Sequence, residues 1–174
     1  DIEFDKLIYS GYEGIISQNY APKDDNNIKK GERVFYTRDN ALRIDVYRKL
    51  IDDIVDDNYK KFFLAPLLTE CSIHTNTSGV FKGFYKDKRT GIGSFGGTAK
   101  NALSRITGQI QLPMPILSNF SCQSQIYAED AIELSKKLGR VDIVYLDPPY
   151  NQHPYGSNYF MLNLILKNKI DSSI

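Results

Sequence analysis

The chain has 174 residues, 41% of them hydrophobic, which is enough for a substantial core in one domain. Lys and Arg number 22 against 21 Asp and Glu, a net charge of +1, so bulk charge names no partner and a nucleic-acid surface has to come from local clustering. The two cysteines, Cys71 and Cys122, lie far apart without a paired spacing, which predicts buried, reduced thiols and a cytoplasmic protein. No apolar run is long enough to span a bilayer, and no signal peptide is recognisable in the sequence, so no membrane partner is expected.

Residues 1–20 carry scattered aromatics and predict a short helix plus loop, and "APKDDNNIKKGE" is a turn-rich polar loop. "RVFYT" reads as a short strand or an extended piece. Asp39 or Asn40 is then placed to cap a helix whose Ile44, Tyr47, Ile51 and Ile54 share one face with Leu50. "DDIVDDN" ends it. "YKKFFLAPLLTECSIHTNTSGVF" predicts a second, largely buried helix, in which Pro66 imposes a kink or moves the start.

The next stretch is basic: Lys82, Lys86, Lys88, Arg89, Lys100 and Arg105 stand against Asp87 alone. Inside it, "GIGSFGG" at 91–97 matches G-x-G-x-x-G but follows "FKGFYKDKRT" rather than an apolar strand. The dinucleotide reading therefore lacks its strand-turn-helix context. A flexible loop whose backbone N–H groups and flanking cations contact phosphates is one reading, and an ordinary solvated basic loop is the other.

From about residue 113 the pattern changes. A strand near 124–128, a turn at "AED", a helix over 130–138 stopped by Gly139 and a strand over 141–146 form a strand-helix-strand unit. A fully apolar second strand, "VDIVYL", predicts an α/β fold with a parallel sheet, whose chemistry lies just past the carboxyl ends of its strands. "AED" and "DPPY" both fall there. In Asp147-Pro148-Pro149-Tyr150 the prolines remove two N–H donors and fix φ, leaving carbonyls rigidly aimed beside a carboxylate. Paired acceptors suit an exocyclic amine, and Tyr150 offers a flat face worth ~1–3 kcal/mol for a stacked base. A Pro-Pro turn with Asp147 as a cap is the competing reading.

These residues resemble the amino-methyltransferases with the (D/N)PP(Y/F) signature, and more specifically the D12 class of adenine-N6 DNA methyltransferases. "ERVFYTRDNALRIDVYRKLI" is similar to that family's "FTDENAKKID". "FFLAPLLTECSIHTNTSGVFKGFYK" resembles its "NTASVYGAFLK", and "IVYLDPPYNQHPYGSNYFMLN" resembles the DPPY turn with its tail. The resemblance covers about residues 12 to 166. It implies a partial Rossmann-like class I methyltransferase sheet over 113–174, with a largely helical, target-recognising region over 1–112.

Further implications are a methyl donor, S-adenosylmethionine, and double-stranded DNA as substrate within a bacterial restriction-modification system. A cognate endonuclease, or a missing remainder of the chain, would be a partner. By the same resemblance Asp147 and the Pro148 carbonyl grip the flipped adenine's amine, Pro149 rigidifies the turn, and Tyr150 stacks on the ring. Asp130, beside Ala131, holds the cofactor's adenine, although it is also a plausible helix N-cap. Asn158 and Tyr159 match the family's "NY" and are assigned to the substrate, with Lys88, Arg89 and Lys100 on the DNA. Phe160 stands where the family has His.

The family's FxGxG cofactor turn and its ribose-binding acid precede the segment where this chain starts, so the chain reads as a fragment. The alternatives are methylation of another amine, such as cytosine N4 or an RNA base, and a catalytically incomplete DNA-binding piece. His74 and His153 form no metal constellation with either Cys, and no metal is expected.

Overall fold

A computed structural model describes residues 2–148 and 154–170. The chain divides into two compact units, one of residues 1–115 with 153–174 and the other of 116–152.

The first unit is helical. Short helices α1 (Ile2–Tyr9) and α2 (Ile15–Asn19) precede α3 (Arg38–Asp52) and α4 (Asp57–Ile73); α5 (Leu103–Thr107) follows the basic loop, and α7 (Tyr155–Asn158) and α8 (Phe160–Lys167) close the unit. α3 forms where the 3.6-residue apolar spacing predicts it, burying Ala41, Ile44 and Ile51. Its cap is Thr37 rather than Asp39 or Asn40: the Thr37 hydroxyl accepts from the Asn40 N–H at 3.2 Å. Asn40 is buried and turned to tertiary work, donating to the Gly108 carbonyl and accepting from the Ile110 N–H, both at 2.8 Å. α4 is capped by Asp56 and carries Pro66 in its interior, with Leu67 and Cys71 as its buried residues.

A sequence-distant contact joins α2 to α3. The buried Asp45 carboxylate accepts from the N–H groups of Gly14, Ile16 and Ser17 at 2.8–2.9 Å, satisfying donors that a helix start leaves without partners. A Cβ on Gly14 would lie 2.7 Å from the Asp45 Cγ, so this approach requires glycine.

"RVFYT" is irregular rather than a strand, and its Val34, Phe35 and Tyr36 are all buried. Phe35 sits edge-on to Tyr20, Phe84 and Phe160, and its backbone N–H and carbonyl pair with Tyr20 and Asn76. The core is completed by Met161 and Ile165 of α8 together with Leu67 and Cys71 of α4.

The second unit corrects the expected fold. Among the described residues there is no β-strand, only one isolated antiparallel bridge, Lys86 to Gly93, in the first unit. The described residues form no Rossmann-like sheet, and the strands expected over 124–128 and 141–146 run without ladder partners among them. Their apolar residues stand in solvent: Ile126 is 95% exposed, Ile143 88% and Leu146 81%. An apolar run records a tendency to be buried, but a strand also needs a neighbour for its N–H and C=O groups, and a parallel one needs both faces covered. Only the helix of the expected unit forms, as α6 (Ala131–Lys137), which ends at Leu138 before Gly139. Cys122, expected to be buried, is exposed, whereas Cys71 is buried as expected.

Candidate functional site

In the second unit, α6 begins with Asp130 at its N-cap. The Asp130 Oδ1 accepts from the Ile132 and Glu133 N–H groups at 2.9 and 3.0 Å, so the capping role is real. Both bonds fall on one oxygen. Ala131 and Ile132 beside this cap are exposed.

Asp147 and Pro148 follow the extended 141–146 segment, exposed, on a backbone with no regular structure. Pro149, Tyr150 and His153 lie outside the described residues. Among the described residues no group of His, Cys, Asp and Glu is arranged to hold a metal ion. No helix there is long and apolar enough to cross a membrane.

In the first unit, Asn158 ends α7 in a buried position. Its carbonyl accepts from the Phe81 N–H at 2.9 Å, tying the tail that follows Asp-Pro-Pro-Tyr to the 77–81 turn. Its Oδ1 is buried with no hydrogen-bond partner among the described residues. Tyr159 is half-exposed and stacks on Tyr155, ring centroids 5.3 Å apart. Phe160, at the family's His position, packs against Tyr20 and Phe35, so the core has taken over that position.

The basic loop is a tied turn rather than a flexible one. Buried Asn76 donates from Nδ2 to the Val34 and Ser94 carbonyls and accepts at Oδ1 from the Gly96 N–H at 3.0 Å. Its own carbonyl accepts from the Tyr85 N–H at 3.0 Å. Gly93 is pressed onto Val34, where a Cβ would come within 2.3 Å, and Gly96 takes φ +70°. The glycines of "GIGSFGG" therefore serve packing and turn geometry.

Around this turn the cations differ. Asp87 accepts from the Thr90 N–H and hydroxyl and then from the Arg89 N–H, which holds its carboxyl below the usual carboxylate range. The Lys88 N–H is given to the Thr98 hydroxyl, and Lys100 reaches Ser94 with Nζ at 3.5 Å. Lys100 lines a cleft of about 300 Å³ together with Asp25 and Asp87. Desolvation pushes the Asp25 carboxyl up, against the Arg38 N–H that it accepts.

Sequence reasoning missed Asn76, Asp45 and Arg105 as organisers. Arg105 was counted as a phosphate-seeking cation, yet its guanidinium donates to the carbonyls of Ile73, Thr75 and Thr77. The signal was the hydrogen-bonding residue types themselves, whose partners lie 18–42 residues away.

Comparison with known proteins gives one family. The model for the D12 class of N6 adenine-specific DNA methyltransferases matches residues 16–173. The Type II methyltransferase M.CviAII of Paramecium bursaria Chlorella virus 1 is 36% identical over 160 residues, covering 90% of this chain and 41% of that protein. The Type II methyltransferase M.NlaIII of Neisseria lactamica is 32% identical, covering 88% and 41%. The Type II methyltransferase M.FokI of Planomicrobium okeanokoites is 29% identical, covering 88% and 22%. The chain thus spans less than half the length of these relatives. No solved structure matches it.

Proposed function

The chain belongs to the D12 class of N6 adenine-specific DNA methyltransferases, and from that membership we propose that its protein methylates the N6 amine of adenine in double-stranded DNA, within a restriction-modification system. The observation that carries the reading is the family match across 16–173, which includes the Asp147-Pro148 turn and the Asn158-Tyr159 tail. Relatives described as type II methyltransferases and modification methylases support the restriction-modification setting and a cognate endonuclease as partner.

Bound S-adenosylmethionine supplies an electrophilic methyl on a sulfonium. Asp130, with Ala131, orients its adenine end. Asp147 and the Pro148 carbonyl each accept one hydrogen of the target amine, which withdraws that nitrogen's lone pair from the ring and aims it at the methyl. Pro149 fixes the carbonyl's direction, and Tyr150 stacks on the extruded base, helping to offset the few kcal/mol, roughly, that extrusion costs. Asn158 and Tyr159 bound the substrate side of the tail, and Lys88, Arg89 and Lys100 contact phosphates. In functional terms 1–112 serves target recognition and 113–174 catalysis.

The test is product analysis. After incubation with labelled S-adenosylmethionine and either duplex DNA or RNA, digestion of the DNA to nucleosides should yield N6-methyl-2′-deoxyadenosine. Label recovered as N4-methyl-2′-deoxycytidine, or only from RNA, would refute the reading.

A further inference from the structure

A second cleft lies in the first unit, among residues on either side of Asn76 in sequence. About 340 Å³ in volume, it is lined by the hydroxyl-bearing Ser72, Thr75, Thr77, Ser78 and Tyr85 and by Arg105. No carboxylate lines it, in contrast to the Asp25 and Asp87 cleft. The Arg105 guanidinium is permanently charged and carries five N–H donors. The partners it has here, the Ile73, Thr75 and Thr77 carbonyls, are neutral dipoles that fix its orientation without cancelling its charge.

The Thr75 hydroxyl donates to the Phe35 carbonyl at 3.4 Å, so Thr77 and the serines are the hydroxyls that bear on the cleft. Thr77 is buried, and its Oγ1 accepts from the Gly79 N–H at 3.4 Å, which leaves its own O–H to point elsewhere. Ser72 and Ser78 sit exposed at the rim. A fixed guanidinium among hydroxyls, in a lining without a carboxylate, is selective for an oxyanion that can take several hydrogen bonds at once.

We propose that this cleft binds a phosphate oxyanion through Arg105, Thr77 and Ser78. Resting on the function proposed above, its source is a backbone phosphodiester of the DNA. The site is distinct from the Lys88, Arg89 and Lys100 turn and sets the register of the duplex rather than its sequence.

The experiment follows the backbone amides of 77–79 and the Arg105 Nε–H by NMR in two arms, inorganic phosphate and a duplex oligonucleotide. Both ligands should shift these signals. Ser78→Asp, which adds a charge at an exposed position, should abolish the phosphate shifts and weaken duplex binding about tenfold. The slope of log affinity against log salt should become shallower by about one phosphate contact. Ser78→Asn, similar in size and neutral, should stay near wild type, which separates charge from shape.

Silence of these signals toward phosphate, or duplex binding that leaves them unmoved and Ser78→Asp unimpaired, would overturn the proposal. Phosphate shifts without any duplex binding would support the oxyanion site and count instead against the DNA reading.

Discussion

Asp45 shows how much one residue can hold. Its carboxylate ties three N–H groups of the Gly14–Ser17 turn to α3 from a buried position. Asp45→Ala strands those donors, and an unsatisfied buried donor costs about 1–3 kcal/mol. Urea unfolding should show a loss of about 3 kcal/mol or more, with Asp45→Asn intermediate because one acceptor oxygen survives.

Asp25 gives the opposite sign. Burial raises its folded pKa above the unfolded one, so the folded state holds its proton more tightly, and the penalty for ionisation grows as pH rises through the carboxylate range. Asp25→Asn should match wild type in stability at low pH and exceed it at neutral pH. Urea midpoints at both pH values check this, and a constant difference would contradict it. Neither residue was legible beforehand. A lone Asp in an amphipathic helix pattern looks like a solvated position until its partner, some thirty residues away, is known.

At the scale of elements, α3 was legible because a helix closes its hydrogen bonds within its own segment and needs only a face to bury. The cap was misassigned by a few residues because Asn40 serves Gly108 and Ile110 instead. Thr37→Ala should cost about 1 kcal/mol in thermal or urea unfolding. The strands expected over 124–128 and 141–146 do not form, since strand formation belongs to a pair of segments and one sequence window contains only half of it.

The basic turn was legible as charge but not as shape. Its geometry comes from Asn76 and from glycines pressed against Val34 and the 100–101 backbone. If Lys88 and Arg89 contact phosphates, their double alanine variant should weaken duplex binding equally across sequences and lower the salt slope by about two contacts. A sequence-dependent loss would assign them to base reading instead.

For the molecule as a whole, the first unit carries the packed aromatic core, while the second exposes the apolar 141–146 run and Ile126. Large exposed apolar surface marks places that meet another surface. This chain should therefore bind the dye ANS in its native state, and Ile143→Lys with Leu146→Lys should reduce that binding without lowering the unfolding midpoint. The family was legible from short motifs alone, because Asp-Pro-Pro-Tyr and the tail after it are recognisable without any long-range partner. The surroundings of that stretch are a tertiary property and were not.

The most direct test is the turnover of Asp147→Ala and Asp147→Asn in the protein, with duplex DNA and S-adenosylmethionine saturating. If Asp147 grips the target amine, both variants bind DNA with near wild-type affinity while kcat falls at least about a hundredfold, the scale of losing one positioned transition-state contact. A kcat within a few-fold of wild type in either variant would contradict the account.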